Sequence, residues 1–296
     1  MGMIKPLFES FFFIIAAGKK RKLKQLFNIS GERVAEPANS ILMLELGEQY
    51  CCVAVIDKNG REANRLLYYE GNSDEDLLDN VIANHREFLD HYADVLINYS
   101  FPQSVIAPAR FYSYEDGRKM LQLIYGNAKE VSVLAEHLPE HQVYNVYEVP
   151  KKLHSWVSMQ FHSGKYWHNY SSVLKGMNGS EGANVFMIDF KSGQFSVVVI
   201  REQQLQFVQT FVYAESADVL YYLLKICHSF SISPQTVLLV LSGLIDKEST
   251  LYRDLYNYFT YVSFKRNPDS IKLSYPFVKY PTHFFSSLFN LAICGS

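Results

Sequence analysis

The chain has 296 residues, of which 48% are hydrophobic and 20% are charged, and this composition excludes an intrinsically disordered protein. Its net charge of -2 at pH 7 gives no overall electrostatic attraction to nucleic acid or to an anionic membrane, so we expect no nucleic-acid partner. The length predicts one large domain or two domains of medium size.

Residues 1–39 are predicted to be a loosely ordered N-terminal extension. Its apolar run, residues 11–17, is followed rather than preceded by basic residues, which is the wrong order for a secretory signal peptide. A membrane span needs about 20 apolar residues, more than this run provides. A basic amphipathic helix at a membrane surface is the alternative. We therefore predict a cytoplasmic protein without stable membrane insertion, in which the four cysteines are reduced core thiols.

Residues 40–175 are predicted to form a first half that opens with a β-hairpin. Apolar residues within 41–56 predict two strands joined by a turn at 47–49. A third strand, a helix introduced by the capping residue Ser73 and a buried strand follow. The pattern beyond them predicts strands at 104–107 and 143–148, and helices at 114–124 and 152–161.

The Gly-rich and polar residues 176–184 are predicted to be a linker to a second half, residues 185–296. This half also opens with a hairpin, at 185–200, and continues with a strand and with a helix that starts near Ser216. The next strand, at 236–241, is nearly all Val and Leu, as expected for a strand covered on both faces. Apolar residues at helical spacing predict a last helix at 283–293.

The two halves share one pattern at a constant offset of 144 residues. Without a gap, Met43 aligns with Met187 and the acidic residue Glu45 aligns with Asp189. Both halves have the element order β-β-β-α-β. Because element order, spacing and acidic position agree, we predict an internal duplication.

Two β-β-β-α-β units with an acidic residue at each first hairpin resemble the actin-like ATPase superfamily. More closely, the stretch from Leu44 through residues 105–108 to the tail at Cys294 is similar to an uncharacterised bacterial domain-of-unknown-function family, number three-eight-two-two. The resemblance covers residues 27–296. It implies an α/β protein with a duplicated actin-like ATPase (ribonuclease H-like) fold, whose mixed sheets are flanked by helices. That family has no assigned activity, so the resemblance implies a fold alone.

Proteins of this superfamily bind nucleotide between the halves, where the two hairpin turns face phosphate and metal. Their first turn normally reads Asp-x-Gly and then Thr or Ser, whereas here Glu48 follows Gly47 and would place a carboxylate near the phosphates. The second turn keeps its acid, but its glycine comes two positions late. We assign no catalytic residue, and the residues predicted to line a nucleotide or ligand cleft are Glu45, Gly47, Asp189, Lys191, Ser192, Gly193, Ser242 and Gly243.

Two further clusters were candidates for a site. His137 and His141 are four residues apart, but Pro139 disfavours the helix that would place both on one face, so we predict no metal site. Aromatic residues are dense at 252–264, and Tyr is common at protein interfaces. Some of these tyrosines are therefore candidates for a partner surface.

The leading hypothesis is a non-catalytic actin-like scaffold or regulatory protein that binds another protein and needs no cofactor. The alternative is a divergent nucleotide-binding ATPase or kinase-like enzyme that uses ATP and Mg²⁺, with Asp189 at the metal and with Gly193 and Gly243 as backbone contacts. A third hypothesis is a small-molecule sensor whose cleft has changed its ligand.

Overall fold

The computed structural model of the chain describes residues 24–31, 36–59, 61–71, 75–176 and 184–294. The strands of the described residues are β1 (Lys24–Ser30), β2 (Ser40–Gly47), β3 (Tyr50–Asp57), β4 (Glu62–Glu70), β5 (Asp94–Ser100), β6 (Ser104–Pro108), β7 (Val131–Leu138), β8 (Val143–Pro150), β9 (Lys165–His168), β10 (Asn184–Lys191), β11 (Gln194–Arg201), β12 (Gln204–Val212), β13 (Leu238–Gly243), β14 (Tyr261–Phe264) and β15 (Lys272–Leu273). The helices are α1 (Glu75–Asn84), α2 (Tyr114–Tyr125), α3 (Lys151–Gln160), α4 (Asn169–Lys175), α5 (Ser216–Ser229), α6 (Thr250–Tyr258) and α7 (Ser286–Cys294).

Two mixed sheets with the same strand arrangement form the centre of the molecule. The first has the order β1-β4-β3-β2-β5-β9, with β15 beside β4, and the second has the order β12-β11-β10-β13-β14. In each, three antiparallel strands in succession are followed by a strand parallel to the first of them, β5 beside β2 and β13 beside β10. The predicted α/β class with mixed sheets flanked by helices is confirmed.

A third, smaller sheet lies between β5 and β9 in the chain. Its strand order is β6-β8-β7, and all its pairs are antiparallel. Helix α2 packs against β6 and β8 and begins at Ser113, whose hydroxyl accepts a hydrogen bond from the backbone N–H of Asp116 at 3.2 Å. The sequence predicted β6, β8 and α2 but not β7.

The core is divided by the first sheet into two clusters, because successive residues of a strand point to opposite faces. Leu42 and Leu44 of β2 pack on one face with residues of α1 and α3. Met43 packs on the other face, together with Phe285 and Phe289 at the C-terminal end of the described chain. The second sheet has its own core with α5 and α6.

The structure corrects the expected start of regular structure near Ser40. Strand β1 pairs antiparallel with β4, and within it Ile29 is buried and Phe27 packs against the core cluster that contains Met43. The other residues of β1 are mostly polar, so the sequence of this segment alone does not predict a strand. The apolar run at 11–17 and most of the predicted linker lie outside the described residues.

The C-terminal segment also differs from expectation in where it packs. The predicted helix at 283–293 is a 3-10 turn, Thr282–Phe285, followed by α7. Although we predicted it as part of the second half, α7 covers the first sheet, and β15 adds to the edge of that sheet beside β4. Helix α5 begins at Ser216 as predicted, and its N-cap is Glu215, within a capping box that Asp218 completes.

Candidate functional site

The acidic residues of the two hairpins occupy equivalent positions in the two sheets. Glu45 on β2 is opposite Asn98 of β5, and Asp189 on β10 is opposite Ser242 of β13. Both acidic side chains are buried, with 1% and 4% of their surface exposed. The predicted alignment of Glu45 with Asp189 therefore corresponds to equal registers in the two sheets.

Lys191 lies between these two acids. Its ammonium nitrogen is 2.9 Å from Oε1 of Glu45 and 3.3 Å from Oδ2 of Asp189. It also donates a hydrogen bond to Oγ of Ser287 on α7 at 2.9 Å. A lysine ammonium has three N–H donors, and Ser287 and Glu45 lie within hydrogen-bond distance of two of them, whereas Asp189 Oδ2 accepts no hydrogen bond. We call Glu45, Asp189, Lys191 and Ser287 the ionic cluster.

The ionic cluster is closed to solvent and electrostatically coupled. Burial acts to lower the pKa of Lys191, but the carboxylates of Asp189 and Glu45 outweigh burial, so this pKa is raised above its ordinary value. Asp189 Oδ1 accepts a hydrogen bond from Ser242 Oγ at 2.8 Å. Oδ2 of Asp189 is buried without a hydrogen bond, and its contact with the Lys191 ammonium at 3.3 Å is electrostatic.

Tyr50 supports the other side of the ionic cluster. Its hydroxyl donates to Oε1 of Glu45 at 2.7 Å, and its ring stacks on that of Tyr68 with centroids 5.4 Å apart. Burial and the nearby Glu45 raise the pKa of Tyr50 well above its ordinary value, so the hydroxyl stays a donor. Glu45 Oε2 is buried and has no hydrogen-bond partner among the described residues.

The glycines of the predicted cleft are required by internal packing. A Cβ atom on Gly47 would lie 2.3 Å from the ring of Tyr50, which therefore covers the first turn. Gly243 has a φ of +77°, and a Cβ there would lie 2.0 Å from the carbonyl oxygen of Phe190. Both positions need glycine even without a phosphate nearby.

The second hairpin turn also contacts the first half of the chain. Ser192 Oγ donates to Oε1 of Glu70, at the end of β4, at 2.7 Å. Gly193, next in the turn, has a φ of +67°. Together with the pair Lys191 and Glu45, this bond holds the second hairpin directly against the first sheet.

The structure brings most of the predicted cleft residues together and adds partners that the sequence did not reveal. Glu45, Asp189, Lys191 and Ser242 form one bonded group, whereas Ser192 turns to Glu70 instead. Tyr50 could have been identified from the sequence, because it pairs with Gly47 in the predicted hairpin. Ser287, which lies on a helix expected to pack elsewhere, had none.

The described residues contain no group of three or more His, Cys, Asp or Glu side chains arranged to hold a metal ion. The ring of His137 stacks on Tyr144 with centroids 4.6 Å apart, and His141 Nε2 lies 3.3 Å from the carbonyl oxygen of Leu174. Between the two acids of the hairpins, Glu45 and Asp189, lies the ammonium of Lys191. Across the part of the chain that is described, no helix combines the length and apolar character needed to cross a bilayer.

Comparisons with known proteins agree with this architecture. A family model described as "Protein of unknown function (DUF3822)" matches residues 32–262. A crystal structure from Bacteroides thetaiotaomicron, described as a protein with actin-like ATPase fold and unknown function, is 14% identical over 77% of this chain and 91% of that chain, with a TM-score of 0.69. The PilM-PilN type IV pilus biogenesis complex is 12% identical over 88% of this chain and 99% of that chain, with a TM-score of 0.60. No curated protein matches the sequence. The chain thus has the actin-like ATPase fold that its hairpins predicted.

Proposed function

The chain belongs to the family of proteins of unknown function DUF3822, and we propose that it acts as a non-catalytic actin-like scaffold that binds another protein. The observation that carries this proposal is the position of the Lys191 ammonium between Glu45 and Asp189. In this interpretation the lysine supplies, from within the chain, the positive charge that a bound metal ion supplies in an ATPase of this fold.

Three features of the ionic cluster disfavour nucleotide. The positive charge of Lys191 is already balanced by Glu45 and Asp189, so it is not available to a phosphate. The ammonium of Lys191 lies 3.3 Å from Oδ2 of Asp189, so its positive charge opposes a metal ion at this carboxylate. Finally, the ring of Tyr50 lies where a phosphate would approach the backbone of Gly47.

Exposed tyrosines support a protein partner. Tyr256 and Tyr258 on α6 and Tyr261 on β14 are 61%, 52% and 54% exposed. Large aromatic side chains are enriched at protein interfaces, because they provide rigid contact area with a polar tip. Among proteins of this fold, PilM is described in complex with PilN.

The described cysteines Cys51, Cys52 and Cys227 are free thiols, which supports a reducing compartment such as the cytoplasm.

A thermal-shift titration tests the nucleotide half of the proposal. We expect ATP, ADP and GTP at millimolar concentration, with or without Mg²⁺, to leave the midpoint of unfolding unchanged, because a ligand that binds the folded state must raise it. An actin-like ATPase run in parallel shows that the assay detects binding. A Mg²⁺-dependent rise that disappears in Asp189→Asn would instead establish the alternative, a divergent nucleotide-binding enzyme.

The proposed protein partner is tested by chemical cross-linking of the purified protein, and of two variants, in an extract of the cells that produce it. Replacing Tyr256, Tyr258 and Tyr261 by Ser should abolish a cross-linked species that the unaltered protein forms. Tyr114→Ser is the matched control, because Tyr114 is 58% exposed but lies on α2 of the first half. Equal cross-linking by the triple variant and the control would refute this surface as the contact.

A further inference from the structure

A cavity of about 340 Å³ lies beside the first hairpin turn, away from the ionic cluster. It is partly open, and it is bounded by that turn, by the loop after β5, by the segment after α2 and by parts of β7 and β8. Its lining residues are Glu48, Phe101, Gln103, Tyr125, Ala128, Val131, Glu148, Val149 and Pro150. The volume is within the range of small-molecule sites, about 300–1,000 Å³.

Glu148 is the unusual residue of this cavity. Only 5% of its surface is exposed, yet no described residue donates a hydrogen bond to its carboxyl group or forms an ion pair with it. Burial raises the pKa of Glu148, and the charge of Arg118 offsets this rise only in part. The carboxyl oxygens of Glu148 keep some exposure and line the cavity, where a carboxylate without a partner can bind a ligand that supplies one.

A second carboxyl group lies at the same cavity. Glu48 accepts a hydrogen bond from Gln103 Nε2 at 3.1 Å, which holds its side chain at the cavity wall. The hydroxyl of Tyr125 is already donated to the carbonyl oxygens of Pro102 and Ser104. The charged groups that line the cavity are therefore both acidic, while Phe101 and Val131 supply apolar surface.

We infer that this cavity binds a guanidinium or primary ammonium group carried on a short apolar chain. The cation pairs with Glu148 and Glu48, and the apolar chain packs against Phe101 and Val131. A charge-assisted hydrogen bond to a buried carboxylate is about twice as strong as a neutral one, so the charge of the ligand dominates recognition. An arginine or lysine side chain of a peptide and a free amine share this chemistry. The site extends beyond the proposed scaffold role and does not involve Lys191.

Isothermal titration calorimetry with two matched pairs of probes tests the inference on the full chain. Butylguanidinium should bind at least about tenfold more tightly than butylurea, which has the same shape without the charge. N-acetyl-glycyl-arginyl-glycinamide should likewise bind more tightly than the same peptide with citrulline. Whichever charged probe binds more tightly identifies the source of the cation, a peptide or a free amine.

Variants of the acidic residues give the control. Glu148→Gln should weaken the charged probes by about tenfold or more and leave the neutral probes unchanged. Glu140→Gln, on an exposed turn of the same half, should bind all probes as the unaltered protein does. Glu48→Gln gives a second test if Glu148→Gln fails to fold, which circular dichroism reveals.

Three results would overturn the inference. Equal affinity for the charged and neutral probes would show that charge is not recognised. Unchanged affinity in both acidic variants would place binding elsewhere. No heat with any probe at about 10 millimolar would show that the cavity binds none of them. Because none of the four probes contains a nucleotide and the cavity does not include the exposed tyrosines, these results are independent of the proposed scaffold function.

Discussion

The ammonium nitrogen of Lys191 lies 2.9 Å from Oε1 of Glu45, and this ion pair joins the second hairpin to the first sheet. Lys191 precedes the turn of one hairpin and Glu45 precedes the turn of the other. In an ATPase of this fold the same two turns face the nucleotide. Here they bond to one another, so the cleft residues stabilise the contact between the halves.

Lys191→Met is expected to lower the free energy of unfolding by about 3–5 kcal/mol, because it leaves two buried carboxyl groups without their cation. Urea denaturation at neutral pH measures the change. Lys247→Met is the control, because Lys247 is exposed and the same substitution there should change stability by less than about 0.5 kcal/mol.

A second substitution separates charge from packing. If lost charge balance is the cause, adding Asp189→Asn to Lys191→Met should recover part of the lost free energy, since one acid is then neutral. Strictly additive losses in the double variant would argue instead that Lys191 acts through packing of its alkyl chain.

Gly243→Ala is expected to prevent stable folding, with a loss of about 4 kcal/mol or more, because the new Cβ overlaps the carbonyl oxygen of Phe190. Gly126 provides the matched control. Its φ of +82° is also unfavourable for alanine, but no atom lies within 4 Å of the added Cβ. Gly126→Ala should therefore show only backbone strain, about 1–3 kcal/mol. Similar losses of unfolding free energy in the two variants would contradict the steric explanation.

The described cysteines are expected to react slowly with thiol reagents in the folded protein. Burial and the nearby Glu45 raise the pKa of Cys51 to about 12, and burial raises that of Cys227 to about 11. Because the thiolate is the reactive form, labelling at pH 8 should be at least about a hundredfold slower than in urea. The measurement uses Cys294→Ser, so that only Cys51, Cys52 and Cys227 contribute. Fast labelling without urea would show that these thiols are accessible.

The hairpins could be predicted from sequence because their information is local. Alternating apolar residues and a glycine near each turn specify β2, β3, β10 and β11 without knowledge of distant contacts. The apolar strand β13 was likewise evident within two residues of its bounds. Glu45 and Asp189 were found in the same way, since each lies at the same position of its hairpin.

The remainder depends on contacts between segments far apart in the chain. Strand β1 exists because β4 supplies its hydrogen bonds, and helical spacing in α7 does not indicate which sheet the helix covers. Lys191 was predicted to line a nucleotide or ligand cleft, and two of its partners, Glu45 and Ser287, lie far from it in sequence. The sequence therefore predicted which residues meet better than it predicted how they bond.

The half-buried Glu136 and the buried His168 both contact Tyr147. The Tyr147 hydroxyl donates to Oε1 of Glu136 at 2.7 Å, and its ring lies 4.6 Å from that of His168, between centroids. Burial raises the pKa of Glu136 to about 7 and lowers that of His168 to about 4. Both groups are therefore favoured in their neutral forms in the folded state.

These two shifts have opposite effects on stability over the same pH range. His168 binds a proton more readily in the unfolded chain, so its contribution is complete above pH 6.5 and is lost as the pH falls toward 4. Glu136 binds a proton more readily in the folded chain, so its contribution is complete below pH 4.5 and is lost as the pH rises through about 7. Each amounts to roughly 3 kcal/mol, and in the unaltered protein they largely cancel.

Glu136→Gln should isolate the contribution of Glu136. Relative to the unaltered protein, the unfolding free energy of this variant should rise by roughly 3 kcal/mol between pH 4.5 and 7. The unaltered protein loses stability over this range because Glu136 ionises in the unfolded chain before it ionises in the folded one, and the variant has no such group. Urea denaturation at several pH values gives this difference, in which contributions from other titrating groups cancel. Glu140→Gln, an exposed position, should give a difference that does not change with pH. A pH-independent difference for Glu136→Gln would show that Glu136 titrates normally, and the proposed compensation with His168 would then be wrong.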